Sequence, residues 1–255
     1  MALDESLLKS VAENHTPPTL RLYCWEPATL SLGFAQPAAD VDVEKLQANK
    51  WDLVRRPTGG RAILHVDELT YSLTAAADDP LLSGDLLESY RKISRALLAG
   101  LASLRVTATG DATYENSTSG KVKNPVCFET PSNYEITSGG KKLIGSAQAR
   151  KYGGILQHGT LPIHGDITRI TRALKFASKH DRASAAAKLT AHAITLESVL
   201  STIPDWLTVA GAIIKGFSET FEISFIESQP DPAEIEYANQ LMAEKYLSDT
   251  WTFRM

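Results

Sequence analysis

Residues 133–163 read NYEITSGGKKLIGSAQARKYGGILQHGTLPI. Two β-forming runs, NYEIT and KKLIGSA, flank Ser138-Gly139-Gly140, and consecutive glycines supply the positive φ that a tight hairpin turn needs. GILQHGTLPI follows as a further strand, with no helix between. The sheet in this region is therefore built by hairpins rather than by βαβ crossovers.

Upstream, TLRLYCW, ATLSLG, WDLVRR, AILH and ELTYSLTAA are short β-rich runs punctuated by Pro27, Gly33, Pro37 and Gly59-Gly60. Leu3, Leu7, Leu8 and Val11 predict an opening helix over Leu3–Ala12, closed by Thr16-Pro17-Pro18. Val41, Val43 and Leu46 predict a short helix over Asp40–Asn49 with Asp40 as its cap. Ser83–Leu104 repeats apolar residues every three and four positions and predicts the longest helix. Strands are expected around Val106 and around Val126-Cys127-Phe128. From Asp166 onward TRALKFASKH, ITLESVLS, WLTVAGAIIKGFSETF and DPAEIEYANQLMAEKYL read as helical. The expected class is α+β, a mixed and mostly antiparallel sheet packed against helices, in one domain over residues 1–255 with a helical part over 166–247.

The chain has 255 residues, 43% hydrophobic and 22% charged, which excludes collagen-like, coiled-coil and disordered classes. A chain of this length buries roughly 70–75% of its unfolded surface, so a core needs no staples. A net charge of −4 provides no global basic field for nucleic acid or an anionic membrane. Two distant cysteines make neither a disulfide framework nor a zinc site, and the acidic N-terminus lacks the long apolar run of a signal or anchor, so a cytoplasmic protein is expected.

Four clusters carry candidate chemistry. In Arg55-Arg56-Pro57-Thr58-Gly59-Gly60-Arg61-Ala62-Ile63-Leu64-His65 the glycines let backbone approach a ligand while Arg56, Thr58 and Arg61 offer donors. That is a cradle for an anion or carbonyl, or else a hairpin with two solvated arginines. Lys142 in KKLIGSA shares a strand face with Ile144 and points inward, where a lysine finds a negative partner or loses its charge. An edge-strand lysine is the plainer alternative. Cys127 lies between Pro125 and Pro131 in a loop-like setting where a nucleophile can face a cleft, whereas Cys24, between Tyr23 and Trp25, reads as core packing. Gln157-His158-Gly159-Thr160 ends a strand with a small residue after a histidine, which can close a pocket wall. His15, His164, His180 and His192 lack metal-ligand spacing, so no metal is expected. There is no Walker A, G-x-S-x-G or G-x-G-x-x-G motif.

In this order, RRPTGGRAILH, CFETPSNYEI, GGKKLIGSAQAR and ILQHGTL resemble the lipoate-protein ligase A and octanoyltransferase superfamily over about Leu30–Leu161. The resemblance implies the biotin/lipoate protein ligase catalytic-domain fold, with the RRxxGG segment walling an acyl pocket and Lys142 approaching the reacting carbonyl. Ligases that use ATP typically show RRxSGGG, where this chain has Thr58-Gly59-Gly60-Arg61, and an Arg-Asn-Asp type segment where it has Cys127-Phe128-Glu129. Both departures resemble the cysteine-dependent octanoyltransferases. Many bacterial ligases also carry a C-terminal accessory domain, for which 255 residues leave little room.

The resemblance thus implies a cytoplasmic acyltransferase without cofactor, with Cys127 and Lys142 catalytic. Arg56, Thr58, Gly59, Gly60, Arg61, His65, Gly145, Ser146, Ala147, His158, Gly159 and Thr160 are expected to bind substrate. The implied partners are octanoyl-acyl carrier protein and lipoyl domains of 2-oxoacid dehydrogenase complexes or the glycine cleavage H protein, with a monomer as the default. An ATP-dependent ligase, or an amidotransferase between protein lysines, stays open. Arg55, Arg56, Arg61, Lys121, Lys123, Lys141, Arg150 and Lys151 are candidates for a basic rim facing acidic partners.

Overall fold

The computed structural model describes residues 1–110 and 135–254. Its elements run α1 (Ala2–Ala12), β1 (Thr19–Tyr23), β2 (Thr29–Leu32), α2 (Val43–Ala48), β3 (Asp52–Arg55), β4 (Ile63–His65), β5 (Glu68–Ala76) and α3 (Leu86–Ser103). They continue as β6 (Ile136–Ser138), β7 (Lys141–Lys151), β8 (Gly154–Pro162), α4 (Lys179–His192), α5 (Trp206–Phe221), α6 (Pro232–Leu241) and α7 (Asp249–Thr252). β6, β7 and β8 form a three-strand meander, with Gly139 and Gly140 at φ 56° and 75° in its first turn.

A five-stranded sheet in the order β1-β5-β8-β7-β6 is antiparallel throughout, while a small sheet β3-β2-β4 mixes one parallel with one antiparallel pairing. The main core lies between the large sheet and α3 and α5, where Leu69, Leu73, Ile93, Leu97, Leu101, Ile144, Ile155, Ile213 and Phe217 are buried. Helices α3 and α5 approach through glycines, for a Cβ on Gly216 would stand 2.3 Å from the Ala96 carbonyl oxygen and the Gly100 nitrogen. A second core around Leu30, Leu32, Val41, Leu46, Leu174 and Leu189 holds the small sheet against α2 and α4. α1 packs against β5, β8 and α6. The α+β class is as expected.

Several local expectations differ from the structure. The helix predicted over Asp40–Asn49 is a 3-10 turn, Ala38–Asp40, then α2 capped by Asp42, whose carboxylate accepts from Lys45 N. Val41 between them is extended and bridged to Leu174, which forbids one continuous helix. Around Val106 only a bridge between Thr109 and Thr137 forms; Val126-Cys127-Phe128 lies outside the described residues. TRALKFASKH begins in the last residues of a 3-10 stretch, Ile167–Arg172, and continues as irregular chain to Ser178, which caps α4. ITLESVLS holds only a 3-10 turn, because Ile194 N donates to Lys142 O and Glu197 N to Ile163 O across the sheet end. Cys24 is exposed rather than packed, just beyond β1, with the rings of Tyr23 and Trp25 turned to inner partners. No helix among the described residues is long and apolar enough to cross a membrane.

Candidate active site

The glycine-rich loop after β3 faces the middle of β7 and β8 across a narrow cleft. Its walls are Arg56, Gly59, Gly60, Ile63 and His65 on one side, and Thr70, Gly145, Ser146, Ala147, His158, Gly159 and Thr160 of the large sheet on the other, with Met1 completing the lining. Ten of the twelve expected binding residues therefore meet here.

Thr58 and Arg61 do not line the cleft. The Thr58 hydroxyl lies 2.5 Å from His158 Nε2, and the Arg61 carbonyl accepts from Arg56 Nη2 at 2.9 Å. Gly60 has φ 91°, open to glycine and strained for other residues. Gly33 supports it from behind: a Cβ on Gly33 would stand 1.8 Å from the Gly60 carbonyl oxygen.

Arg55 and Arg56 are both buried, which removes them from the basic rim. Arg56 donates to Ser31 O and Oγ through Nη1 and to Gly59 O and Arg61 O through Nη2, so it fixes the loop rather than facing solvent. Ser31 Oγ is 2.6 Å from His65 Nε2, and His65 Nδ1 is 2.6 Å from Glu68 Oε1. Glu68 also accepts from Thr70 and Thr160, while Trp25 stacks on His65 with centroids 4.4 Å apart. Both Ser31 and Glu68 escaped the sequence reading. The His65–Glu68 spacing of three is a signal for the second, but nothing local marks the first.

His158, in the cleft wall, is buried. Its environment pushes the imidazole down to about 3, chiefly by burial, against the opposing pull of Asp4, so the ring is neutral at ordinary pH. Its Nδ1 makes no hydrogen bond. Burial works against ionisation of Asp4 too, but Arg21 and the N-terminal amine hold its carboxyl well below the usual carboxylate range.

Lys142 is not among the residues lining the cleft. It is buried and ion-paired with Glu135 at 2.5 Å, the negative partner that burial demands. Simple alternation along β7 does not place it, because Ile136 pairs with Ile144 but Thr137 pairs with Lys142. Leu143 is thus an extra residue, and such a bulge re-aims its neighbours. Cys127 lies outside the described residues, as do Lys121 and Lys123. No group of three or more metal-ligating side chains occurs among the described residues.

Residues 1–218 match the lipoyl protein ligase A/B catalytic domain. The chain belongs to this lipoyl protein ligase A/B family. Full-length similarity agrees: it is 42% identical to the octanoyltransferase LipM of Carboxydothermus hydrogenoformans, over 100% of this chain and 93% of that one. To the LipM of Kyrpidia tusciae it is 39% identical with the same coverage. Among solved structures, lipoate-protein ligase A bound with ATP superposes with a TM-score of 0.77 at 26% identity, covering 99% of this chain and 92% of that one. A Thermoplasma acidophilum protein with bound lipoic acid gives 0.79 at 26%, covering 100% and 92%. The expected ligase catalytic-domain fold is therefore this family's fold, and three of the four motif segments that suggested it contribute residues to the cleft, while most of CFETPSNYEI lies outside the described residues.

Proposed function

We propose that this protein is an acyltransferase that moves an octanoyl group from octanoyl-acyl carrier protein to a lysine of a lipoyl domain, through a thioester on Cys127. The observation that carries this reading is the identity of 42% over the whole chain to a relative named octanoyltransferase. The glycine-walled cleft supports it, since backbone on both sides comes close enough to clasp a slender acyl chain.

In the first step the Cys127 thiolate attacks the thioester carbonyl carbon, the new C–S bond forms, and the carrier thiolate departs. The substrate lysine then attacks as a free amine. Cys127 leaves as thiolate, and the surplus proton of the amine goes to solvent or a nearby base. Every bond broken is a thioester, so the transfer as proposed needs no ATP.

A thiol of ordinary pKa, about 8.5, is mostly protonated at neutral pH, and Lys142 is proposed to favour the thiolate. Past Ile144, β7 has no β6 partner in its register with β8, so outward amides between Gly145 and Ala147 are candidates for the oxyanion. The rim for an acidic partner reduces, among described residues, to Arg61, Lys141 and Arg150, because Lys151 is ion-paired with Glu5.

The test is intact-mass spectrometry of protein mixed with octanoyl-acyl carrier protein and no ATP. An octanoyl adduct that survives Cys24→Ser and disappears in Cys127→Ala supports the reading. Transfer that requires ATP and survives Cys127→Ala would establish the ligase alternative instead.

A further inference from the structure

The family match ends at residue 218, yet the last turn of the described chain grips the glycine-rich wall. Arg55 makes the connection. It is fully buried, and its guanidinium is spent on main-chain carbonyls of two segments. Nη1 donates to Gly33 O at 2.8 Å, Gln36 O at 2.6 Å and Phe34 O at 3.3 Å. Nη2 and Nε donate to Thr252 O at 2.8 and 3.2 Å, and further to Arg254 O and Trp251 O, both at 3.1 Å.

Only a planar fork with donors on both edges spans two such sets, and an ammonium does not. The contact is reinforced from the other side. Trp251 Nε1 donates to Arg55 O at 3.0 Å, and the Arg254 guanidinium lies over the faces of both Phe34 and Trp251, 3.9 and 4.0 Å from their centroids. Arg254 Nη2 also donates to Phe34 O at 2.8 Å.

The held segment is the one that supports the cleft. Phe34 N donates to Thr58 O at 2.8 Å, Arg56 N to Leu32 O at 2.8 Å, and Gly33 packs against Gly60. We infer that residues Trp251–Arg254 form a latch that orders the Gly33–Gln36 and Thr58–Arg61 loops, with Arg55 as the positioning residue between latch and acyl cleft. Neither Arg55 nor the latch touches the cleft, so the effect is on how well the wall is held when substrate binds. The kinetic consequence rests on the transferase reading; the structural one does not.

The test is hydrogen exchange on the full chain in Arg254→Ala, Trp251→Ala and Arg55→Lys, followed in peptides holding the Phe34, Gln36 and Arg56 amides. Loss of a buried charge-assisted contact should speed exchange there about tenfold or more, with β5 and β8 amides as in wild type. In transfer assays KM for the acyl donor should rise about tenfold while kcat changes less than KM, since the reacting groups are untouched. Arg55→Ala is expected to unfold in part, which is why the milder variants decide. Unchanged loop exchange in both Arg254→Ala and Trp251→Ala overturns the latch, and so does faster exchange spread evenly over the core strands. A wild type inactive in octanoyl transfer would remove the proposed function while leaving the exchange result to stand or fall alone.

Discussion

Tyr71 on β5 and Ser146 on β7 are separated by strand β8, yet their hydroxyls meet at 2.7 Å. They do so because the residue between them in register is Gly159. The Tyr71 ring lies across that glycine, buried and pushed up to about 12 chiefly by burial, so the phenol keeps its proton at any working pH. A Cβ on Gly159 would stand 2.6 Å from Tyr71 Cε1, Ser146 Oγ and Gly145 O at once.

Gly159→Ala is therefore expected to displace Tyr71 or the Gly145–Ser146 backbone. Overpacking of a rigid site costs roughly 1–3 kcal/mol, seen as a lower Tm, and the same displacement moves one wall of the cleft. Ser146→Ala is the control, since it removes only a hydroxyl. An alanine at 159 with wild-type Tm and wild-type transfer would show that the Tyr71 crossing is soft.

The neutral His158 makes a prediction about acid. Its pKa is depressed from an ordinary 6.5 to about 3, so folding holds it uncharged. The associated stability is complete above pH 6.5 and is lost as pH falls from there towards 3, with a slope approaching ~1.4 kcal/mol per pH unit. Urea melts of wild type and His158→Gln between pH 7 and 4 check this: the wild type should lose stability more steeply. Equal slopes mean that the ring is already open to solvent. Thr58→Val, which leaves the second ring nitrogen without a partner too, is expected to cost about 1–3 kcal/mol at neutral pH, whereas Thr58→Ser keeps the contact.

The strands and the glycine turns were legible because they depend on local chemistry, and most of the cleft wall through the motif resemblance. Glycine pairs announce turns, and alternation announces strands. What stayed hidden depends on distant chain. Two adjacent arginines beside a turn look solvated until carbonyls from Gly33 and Thr252 are brought to Arg55 and those of Ser31 and Gly59 to Arg56. The misplaced helix start at Asp40 has the same origin, since the bridge to Leu174 is made 133 residues along the chain. An inward Lys142 with an anionic partner was one of the readings the sequence left open, beside an edge-strand lysine; the bulge at Leu143 that helps to set its direction was not foreseen.

Glu5 joins three parts of the chain. It accepts from Lys151 and Tyr152 beside β7 and from Lys245 and Tyr246 after α6. Burial alone would raise its pKa, but the hydrogen bonds from Lys151, Lys245 and Tyr246 bring it down to about 2. Its contribution is therefore full above an ordinary 4.5 and fades as pH drops from there towards 2. Glu5→Gln leaves two lysines without their carboxylate, and loss of one side of such a cluster costs roughly 3 kcal/mol. Thermal melts at pH 7 and pH 3 test this. The gap between variant and wild type should be wide at pH 7 and narrow at pH 3, and a constant gap would assign the loss to packing.

The buried Lys142–Glu135 pair gives the proposed nucleophile a signed test. A lysine whose charge is balanced by a carboxylate at 2.5 Å exerts less field on a third group than a bare one does. If Lys142 favours the Cys127 thiolate, Lys142→Met should raise the pH at which Cys127 is alkylated. Glu135→Gln, which keeps an oxygen for Nζ but removes the negative charge, should lower it. Neighbouring charges move a pKa by about one unit or more, so the two curves should separate in opposite directions from wild type. Cys24 is exposed and would react as well, so the measurement belongs in a Cys24→Ser background, with mass spectrometry to confirm the modified site. Shifts of the same sign in both variants would point to disturbed packing. No shift in either would leave Lys142 as a structural partner of Glu135 and require another source of thiol activation.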